Sequence, residues 1–269
     1  MGSIGRRHAK NFRALGCDVT TYDNGLTGAL SGLVLEQALD GADGAVVCTP
    51  PESHVEIAWQ ALGAGCHLMI EKPVSTTLDD LTHLFRACEN AGKTHMVAYP
   101  WRYDRSMNEK RARLSDIGAI QSWWAWYSYD TGNATAKTMG PLLDCSHALD
   151  FLRWLMGEPA SLRVRDGDSG LTAKMDMRFS LAPGWAMLSL AVPMRCEGTI
   201  VGEHGAVDWL RHRDVDYDIN DTYVTEAQHF LACIRGEAKP MTDGWDGMKT
   251  LRLALEAKRA AKDGEWRAL

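Results

Sequence analysis

The first hundred residues alternate short apolar strands with helical segments, and this alternation limits the possible folds more than any other feature of the chain. The predicted strands are 18–22, 44–49, 67–70 and 94–98. The predicted helices are 4–15, 31–39, 52–63 and 78–91. Strands and helices that alternate in this way build a parallel sheet with helices on both faces. We therefore expect an α/β fold for this part of the chain.

The pattern changes near Pro100. A long aromatic strand is predicted over 119–129, and further strands dominate 161–210. The helices predicted for this half are 106–115, 145–156, 222–235 and 244–262. Such a mixture is typical of an α+β domain with a largely antiparallel, open sheet. The expected domains are therefore residues 1–100 and residues 101–269.

The composition argues against several classes of partner. Hydrophobic residues make up 45% of the 269 residues and charged residues 24%, which is typical of globular proteins. The net charge of -6 argues against nucleic acid or an anionic membrane as the main partner. Because no apolar run approaches the ~20 residues of a membrane span and no signal peptide precedes the first helix, we expect a cytoplasmic protein. The seven cysteines form no C-x-x-C pair, which favours reduced thiols over disulfides or a structural zinc site.

Two predicted strands of the second half are apolar on both faces. The strand 119–129 is rich in Trp and Tyr, and the strand Trp185–Val192 is apolar on either side. An antiparallel sheet usually leaves one face in contact with water. We therefore expect helices to cover one face and a second copy of the chain to cover the other, which makes the protein a homo-oligomer. A sheet buried within one large chain is the alternative.

The chain opens with a glycine pair at the start of a predicted helix. Gly2 and Gly5, with Ser3 and Ile4 between them, have the spacing of the last two glycines in G-x-G-x-x-G, the dinucleotide-binding fingerprint. Glycines at a strand-to-helix turn let the backbone approach a pyrophosphate, whose charge the helix N-terminus stabilises. Asp23 ends the next predicted strand, 18 residues after Gly5, where a carboxylate would bind ribose hydroxyls and repel a 2′-phosphate. This spacing favours NAD over NADP.

The first glycine of that fingerprint, and the strand before it, do not occur in the chain. That strand would lie at the centre of the sheet, and its loss would expose unpaired backbone groups on both neighbouring strands. We expect either that a few upstream residues belong to the natural protein or that the sheet is rearranged, and we favour the first. The expected fold is thus a Rossmann-type parallel sheet without its first strand, followed by the α+β domain.

Two polar segments lie at the carboxyl ends of predicted strands. Thr49 and Pro50 end one strand, with His54 in the next helical turn, and Glu71 and Lys72 follow another. Ligands of open α/β sheets bind beyond the carboxyl ends of strands. A lysine there can hydrogen-bond a substrate hydroxyl and stabilise a developing alkoxide. The alternatives are a proline-rich turn, a capping histidine and a solvated Glu–Lys pair.

A third polar cluster leads into the predicted helix 145–156. It contains Asp144, Ser146 and His147, with Asp150 one turn further on. A histidine near a carboxylate can exchange a proton at neutral pH while the carboxylate orients the ring. The alternative is helix capping by Asp144 or Ser146.

Taken together and in this order, the segments 2–11, 49–54, 71–73 and 144–157 resemble the Gfo/Idh/MocA family of NAD(P)-dependent oxidoreductases. The last segment is similar to the form found in a branch associated with bacterial surface sugars. The resemblance covers the whole chain. It implies a Rossmann domain, a second domain whose open sheet mediates oligomer contacts, and hydride transfer between NAD(P) and a secondary alcohol or ketone of a sugar, cyclitol or nucleotide sugar.

The resemblance also implies roles for individual residues. Lys72 matches the active-site lysine, His147 the proton-transfer residue, and Asp144 a residue that positions both the substrate and His147. Arg102 matches an arginine after the last Rossmann strand and is a candidate for substrate binding, together with Lys72 and His147. The candidate cofactor-binding residues are Gly2, Ser3, Ile4, Asp23, Thr49, Pro50, His54 and Glu71.

Other functions stay open on the sequence alone. Some relatives hydrolyse glycosides by transient oxidation with NAD, and net NADH formation would separate that reaction from a dehydrogenase. A non-catalytic, dinucleotide-binding regulator is a further alternative, although the set Lys72, Asp144 and His147 argues against it. An inactive, truncated homologue is the last. Because the stretch between the aromatic strand and Asp144 is short, substrate identity is left open.

Overall fold

The computed structural model describes residues 2–23, 34–130, 139–165, 171–180, 182–210 and 220–269. The chain forms two compact units. The first contains Met1–Tyr103 and Ile219–Met248, and the second contains Asp104–Asp218 and Lys249–Leu269. The chain therefore returns to its first unit after building most of the second. The assignment of 1–100 to the dinucleotide and 101–269 to substrate and oligomer contacts stays a prediction.

The elements are numbered along the chain. The helices are α1 Ser3–Ala14, α2 Leu35–Leu39, α3 His54–Gly63, α4 Leu81–Asn90, α5 Arg105–Ala112, α6 Pro141–Asp144, α7 Ser146–Met156, α8 Asn220–Ile234 and α9 Gly244–Ala260. The strands are β1 Gly44–Val47, β2 His67–Glu71, β3 His95–Ala98, β4 Ile120–Ser128, β5 Pro159–Val164, β6 Thr172–Phe179, β7 Ala182–Ser189, β8 Arg195–Gly202, β9 Gly205–Leu210 and β10 Arg267–Ala268. No helix in the described ranges is both long and apolar enough to cross a membrane.

The first unit is built on a parallel sheet of order β1-β2-β3. Val47 of β1 pairs with Ile70 of β2, and Glu71 of β2 pairs with Ala98 of β3. All three strands therefore end at the same edge, which is the edge where α/β sheets bind ligands. The expected α/β class and the parallel sheet are confirmed.

Helices from both ends of the chain complete the core of this unit. Phe12 of α1 and Phe230 of α8 meet edge to face, with ring centroids 6.2 Å apart, over Met69 and Met96 of the sheet. Aromatic rings in this geometry add to the stabilisation from burial alone. Residues far apart in sequence therefore hold α1 and α8 on one side of the strands.

The strand predicted at 18–22 is wrong. Residues 18–23 are described and carry no strand, and within the described residues β1 pairs only with β2. Val19 instead packs against the core, and its carbonyl accepts a hydrogen bond of 2.9 Å from Arg13 Nη2. Apolar alternation reports which side chains are buried, but a strand also needs a neighbouring backbone to pair with. The start of the predicted helix 31–39 lies outside the described residues, and α2 covers its end.

The second unit is built on a mixed sheet of order β10-β5-β6-β7-β4-β8-β9. Every neighbouring pair is antiparallel except β4 with β7, which confirms the largely antiparallel sheet. Glycine lets the strands approach their tryptophans closely. A Cβ on Gly184 would lie 2.3 Å from the carbonyl oxygen of Trp123, and one on Gly198 would lie 2.1 Å from the Trp209 ring. The sheet therefore needs a residue without a side chain at these two positions, where the backbone approaches a tryptophan.

Candidate dinucleotide and catalytic site

The N-terminus of α1 is open where the fingerprint would hold a pyrophosphate. Gly2 is the N-cap residue, Gly2 and Ser3 are exposed, and Ile4 is half-buried. Apart from Gly2 itself and its two chain neighbours, no heavy atom of the described residues lies within 4 Å of the position that a Cβ on Gly2 would take. The first backbone N–H groups of a helix lack partners within the helix, and the helix dipole favours an anion there. These residues therefore fit the phosphates of NAD.

Asp23 is exposed and ends the first described stretch of the chain. Residues 24–33, which follow it, lie outside the described residues. A contact between Asp23 and the ribose therefore stays a prediction.

The loop after β1 is held to the loop after β2 by His54. The His54 ring is fully buried, with Nε2 2.7 Å from the Thr49 carbonyl oxygen and Nδ1 3.1 Å from the Pro73 carbonyl oxygen. Burial lowers the pKa of His54, and the nearby carbonyl oxygens with the charge of Glu71 offset only part of that effect, so the neutral ring has one N–H to donate to one of the two carbonyls. His54 can therefore serve the cofactor site by fixing the two loops. The alternative of a surface or capping histidine is wrong.

Thr49 and Pro50 border the same loop. Thr49 is half-buried and Pro50 is exposed. Ser53 Oγ lies 2.9 Å from both Thr49 Oγ1 and the Pro50 carbonyl oxygen, which ties the loop to the turn that enters α3. The proline-rich turn is thus present, and it leaves Pro50 accessible at the edge of the sheet.

Glu71 ends β2 as a buried carboxylate with two partners. Its Oε1 lies 2.7 Å from His8 Nε2, and its Oε2 accepts a hydrogen bond of 3.1 Å from the backbone N–H of Lys72. Burial alone would raise the pKa of Glu71, but the hydrogen bond and charge of His8, with Lys72, hold the pKa below its usual value. Glu71 is therefore a buried carboxylate and not half of a solvated pair. Lys72 itself is half-buried.

Asp144 and His147 belong to the second unit, at the junction of α6 and α7. Both side chains are buried, and they stand one helical turn apart along the chain. The N-cap position of α7 is Cys145, whose side chain makes no capping hydrogen bond, so neither Asp144 nor Ser146 is the N-cap residue. The alternative of Asp144 or Ser146 as the N-cap residue is therefore wrong, whereas proton transfer by His147 stays a prediction.

Arg102 is buried in the first unit and paired with a carboxylate. Its guanidinium forms an ion pair with Asp246 of α9, and Nη1 lies 3.4 Å from the Met241 carbonyl oxygen. These contacts join the segment after β3 to residues near the end of this unit. Substrate binding by Arg102 stays a prediction beside this structural role.

Sequence reasoning missed His8 and Asp246. His8 is 2% exposed on the same face of α1 as Gly5 and Phe12, and a histidine at a core position of an amphipathic helix was the available signal. Asp246 had no such signal, because its partner Arg102 lies 144 residues away.

Comparison with known proteins agrees with this architecture. Residues 2–99 match the family model described as oxidoreductase family, NAD-binding Rossmann fold. The chain is 30% identical to D-xylose 1-dehydrogenase (NADP(+)) 2 of Haloferax volcanii, over 84% of this chain and 80% of that protein. It is 22% identical to scyllo-inositol 2-dehydrogenase (NAD(+)) of Bacillus subtilis, over 98% of this chain and 93% of that protein.

Among solved structures, a probable dehydrogenase from Thermotoga maritima has the same fold. Its TM-score is 0.85 at 18% identity, over 100% of this chain and 97% of that chain. With the parallel sheet, the open N-terminus of α1 and the Glu71-Lys72 strand end, these matches show that the chain belongs to the Gfo/Idh/MocA family and is an NAD(P)-dependent oxidoreductase acting on CH–OH groups.

Proposed function

We propose that the protein oxidises a secondary alcohol of a sugar, cyclitol or nucleotide sugar, or reduces the matching ketone, with NAD as the preferred cofactor. The contact between His8 and Glu71 carries the proposal. It places the first turns of α1 against the end of β2, directly before Lys72. A phosphate-binding helix start and a candidate catalytic lysine therefore serve one edge of one sheet.

The chain's own residues supply the proton and charge chemistry in this proposal. The residues at the start of α1 would hold NAD, which would supply the acceptor for the hydride of the substrate carbon. His147 accepts the hydroxyl proton as general base, oriented by Asp144. The Lys72 ammonium stabilises the negative charge that develops on the substrate oxygen. The exposed backbone N–H groups at the start of α1 bind phosphate.

Substitution of the two proposed catalytic residues tests this mechanism. Lys72→Ala and His147→Ala should each lower turnover by roughly two or more orders of magnitude, because each removes a general base or an oxyanion donor. Both should still bind NADH, which quenching of tryptophan fluorescence reports. NADH formation would be followed with scyllo-inositol, myo-inositol and D-xylose as probes.

The possible outcomes distinguish the dehydrogenase from the alternative functions. Turnover close to wild type in either variant would remove that residue from the mechanism. NADH binding without turnover of any probe would favour a dinucleotide-binding regulator or a different sugar. Glycoside cleavage without net NADH formation would indicate the hydrolase.

The cofactor preference depends on Asp23. A carboxylate at that position would repel the 2′-phosphate of NADP, so NADH should bind more tightly than NADPH. Asp23→Ser removes the negative charge and should narrow the difference in affinity between NADH and NADPH. Equal affinity of the unaltered protein for both cofactors would contradict the preference.

We further propose that the exposed side of the second-unit sheet binds a second copy of the chain. Trp124 and Trp185 stack there with ring centroids 5.8 Å apart, beside a cavity of about 470 Å³ that Trp266 also lines. Aromatic and arginine side chains are enriched in protein interfaces. Sedimentation should show an oligomer, and Trp185→Glu should shift it toward monomer. A monomeric wild type would contradict the proposal.

The proposed compartment is the cytoplasm. All seven cysteines are free thiols, which suits a reducing environment.

A further inference from the structure

His8 and Glu71 form a buried contact between two elements that are far apart in sequence. The residues are 63 positions apart, on α1 and at the end of β2, and the His8 ring and the Glu71 carboxylate meet at 2.7 Å. Their side chains are 2% and 9% exposed. A hydrogen bond between a histidine and a buried carboxylate is strong because little water competes for either group. The contact therefore fixes the position of the carboxylate.

The second oxygen of the same carboxylate controls the next residue. Glu71 Oε2 accepts a hydrogen bond of 3.1 Å from the backbone N–H of Lys72. The peptide group that leads into Lys72 thus depends on a side chain whose other oxygen is held by α1. A displacement of the Glu71 carboxylate would therefore disturb both contacts.

Packing leaves the His8 ring few other arrangements. The ring meets Tyr223 of α8 edge on, with centroids 5.8 Å apart, and lies 6.5 Å from the ring of Phe12. The Arg7 guanidinium lies over the Tyr223 ring, 4.6 Å from its centroid. Within the described residues, His8 Nδ1 has no hydrogen-bond partner. The polar contact that the structure gives this ring is therefore with Glu71.

A second anchor holds the segment on its other side. The carbonyl oxygen of Pro73 lies 3.1 Å from His54 Nδ1. Lys72 therefore stands between a residue held by α1 and a residue held by α3.

We propose that His8 is a positioning residue for Lys72, and that it acts through the Glu71 carboxylate. The inference rests on the proposed function in so far as Lys72 is the catalytic lysine. It assigns to the dinucleotide-binding helix a second task, which is to set the position of the lysine at the end of β2.

The first test reads the environment of Lys72 without using activity. Lysines of the full chain are labelled by reductive ¹³C-methylation, and Lys72→Arg identifies the Lys72 resonance. His8→Leu removes the donor and should shift that resonance. His8→Gln places an amide N–H close to the former Nε2 and should restore most of the wild-type position. An unshifted resonance in His8→Leu would overturn the proposal whether or not the enzyme turns over a probe.

The matched control is His95→Gln. His95 is also buried in the sheet of the first unit, but it begins β3 and pairs with Leu68, at the opposite end of β2 from Lys72. Its Nδ1 accepts a hydrogen bond from the Gly244 N–H, and its Nε2 lies 3.8 Å from the half-exposed carboxylate of Glu89, which is far from Lys72 along the chain. This variant tests loss of a buried histidine without the link to Lys72, so it should leave the Lys72 resonance in place. A shift as large as that of His8→Leu would show a merely structural effect.

The second test uses turnover with scyllo-inositol and NAD. A small misplacement of a catalytic group lowers the rate strongly, so kcat of His8→Leu should fall roughly 10- to 100-fold while KM for NAD changes little. His8→Gln should recover most of kcat. If Lys72→Ala leaves turnover unchanged while the Lys72 resonance still shifts in His8→Leu, the proposed mechanism fails and the positioning contact survives. If KM for NAD rises in His8→Leu while kcat is unchanged, His8 serves cofactor binding and the proposal is overturned.

Discussion

The two units bury polar side chains in different ways. The first holds histidines whose pKa values are lowered by burial, among them His54 and His95. The first also contains the ion pair of Arg102 with Asp246, whereas in the second several arginines are paired with carboxylates. Arg153 contacts Glu158 through Nη2 at 2.6 Å and lies 3.9 Å from Asp150, and Asp176 forms ion pairs with Arg163 and Arg165. Neutral rings cost little to bury, whereas buried charges must stay paired.

Because of this difference, the two units should lose stability over different pH ranges. Histidines with a lowered pKa cost stability as soon as the unfolded chain can take up protons. The pKa of Glu158 is lowered chiefly by its Arg153 hydrogen bonds, and the pKa of Asp176 is also lowered, because two arginines outweigh its burial. Stability from such carboxylates is present above their unfolded pKa and is lost as the pH falls through the folded pKa. The second unit should therefore withstand mild acid better than the first.

Removal of Arg153 should have the largest effect on stability. Arg153→Met leaves the 1%-exposed carboxylate of Asp150 without this counter-ion, and breaking a buried pair from one side costs about 3–5 kcal/mol of unfolding free energy. Urea unfolding measures the loss. Arg105→Met is the matched control, because the Arg105–Glu109 pair is exposed and contributes about 0.5 kcal/mol or less. Equal losses in both variants would contradict the distinction.

Removal of His54 should have a smaller effect in the first unit. His54→Leu keeps an apolar side chain of similar bulk but removes the one N–H that the neutral ring donates to the Thr49 or the Pro73 carbonyl, at a cost of roughly 1–3 kcal/mol. Thermal or urea unfolding would be compared with His83→Leu, whose side chain is 79% exposed. The control should stay within about 0.5 kcal/mol of wild type. A wild-type stability for His54→Leu would show that the two loops do not need this brace.

The smallest effect is on the pH dependence. Because burial lowers the folded pKa of His95 below the ordinary value of about 6.5, the unfolded state binds more protons, and stability should fall from about pH 7 to pH 5. His95→Gln should flatten this slope by at most about 1.4 kcal/mol per pH unit. Hydrogen exchange can follow each unit separately. A slope confined to the second unit would reverse the comparison.

The predicted family, enzyme class and α/β fold are confirmed. They could be predicted from the sequence because they depend on local patterns. Alternation of strands and helices marked β1, β2 and β3, and short motifs marked the strand ends at Thr49 and Lys72. The surface-sugar branch stays a prediction. The false strand at 18–22 arose because apolar alternation was read without a pairing partner.

The contacts that organise the site were beyond sequence reasoning. His8 meets Glu71 across 63 residues and Arg102 meets Asp246 across 144, and neither pair leaves a periodic signal. Local spacing cannot report such pairs, because the fold alone determines which distant residues become neighbours. For the same reason His54 could be placed near the loop after β1, but its bond to the Pro73 carbonyl could not be foreseen.

The return of the chain to its first unit has a consequence for recombination. Helix α8 belongs to that unit, and the continuous helix α9 contributes to the first unit up to Met248 and to the second from Lys249. A single crossover after Tyr103 would therefore join a new nucleotide-binding segment to a foreign α8, whose Phe230 must pack against Phe12. Exchange of the intact unit between relatives needs three junctions, so this enzyme is expected to diversify by substitution within its units more readily than by shuffling them.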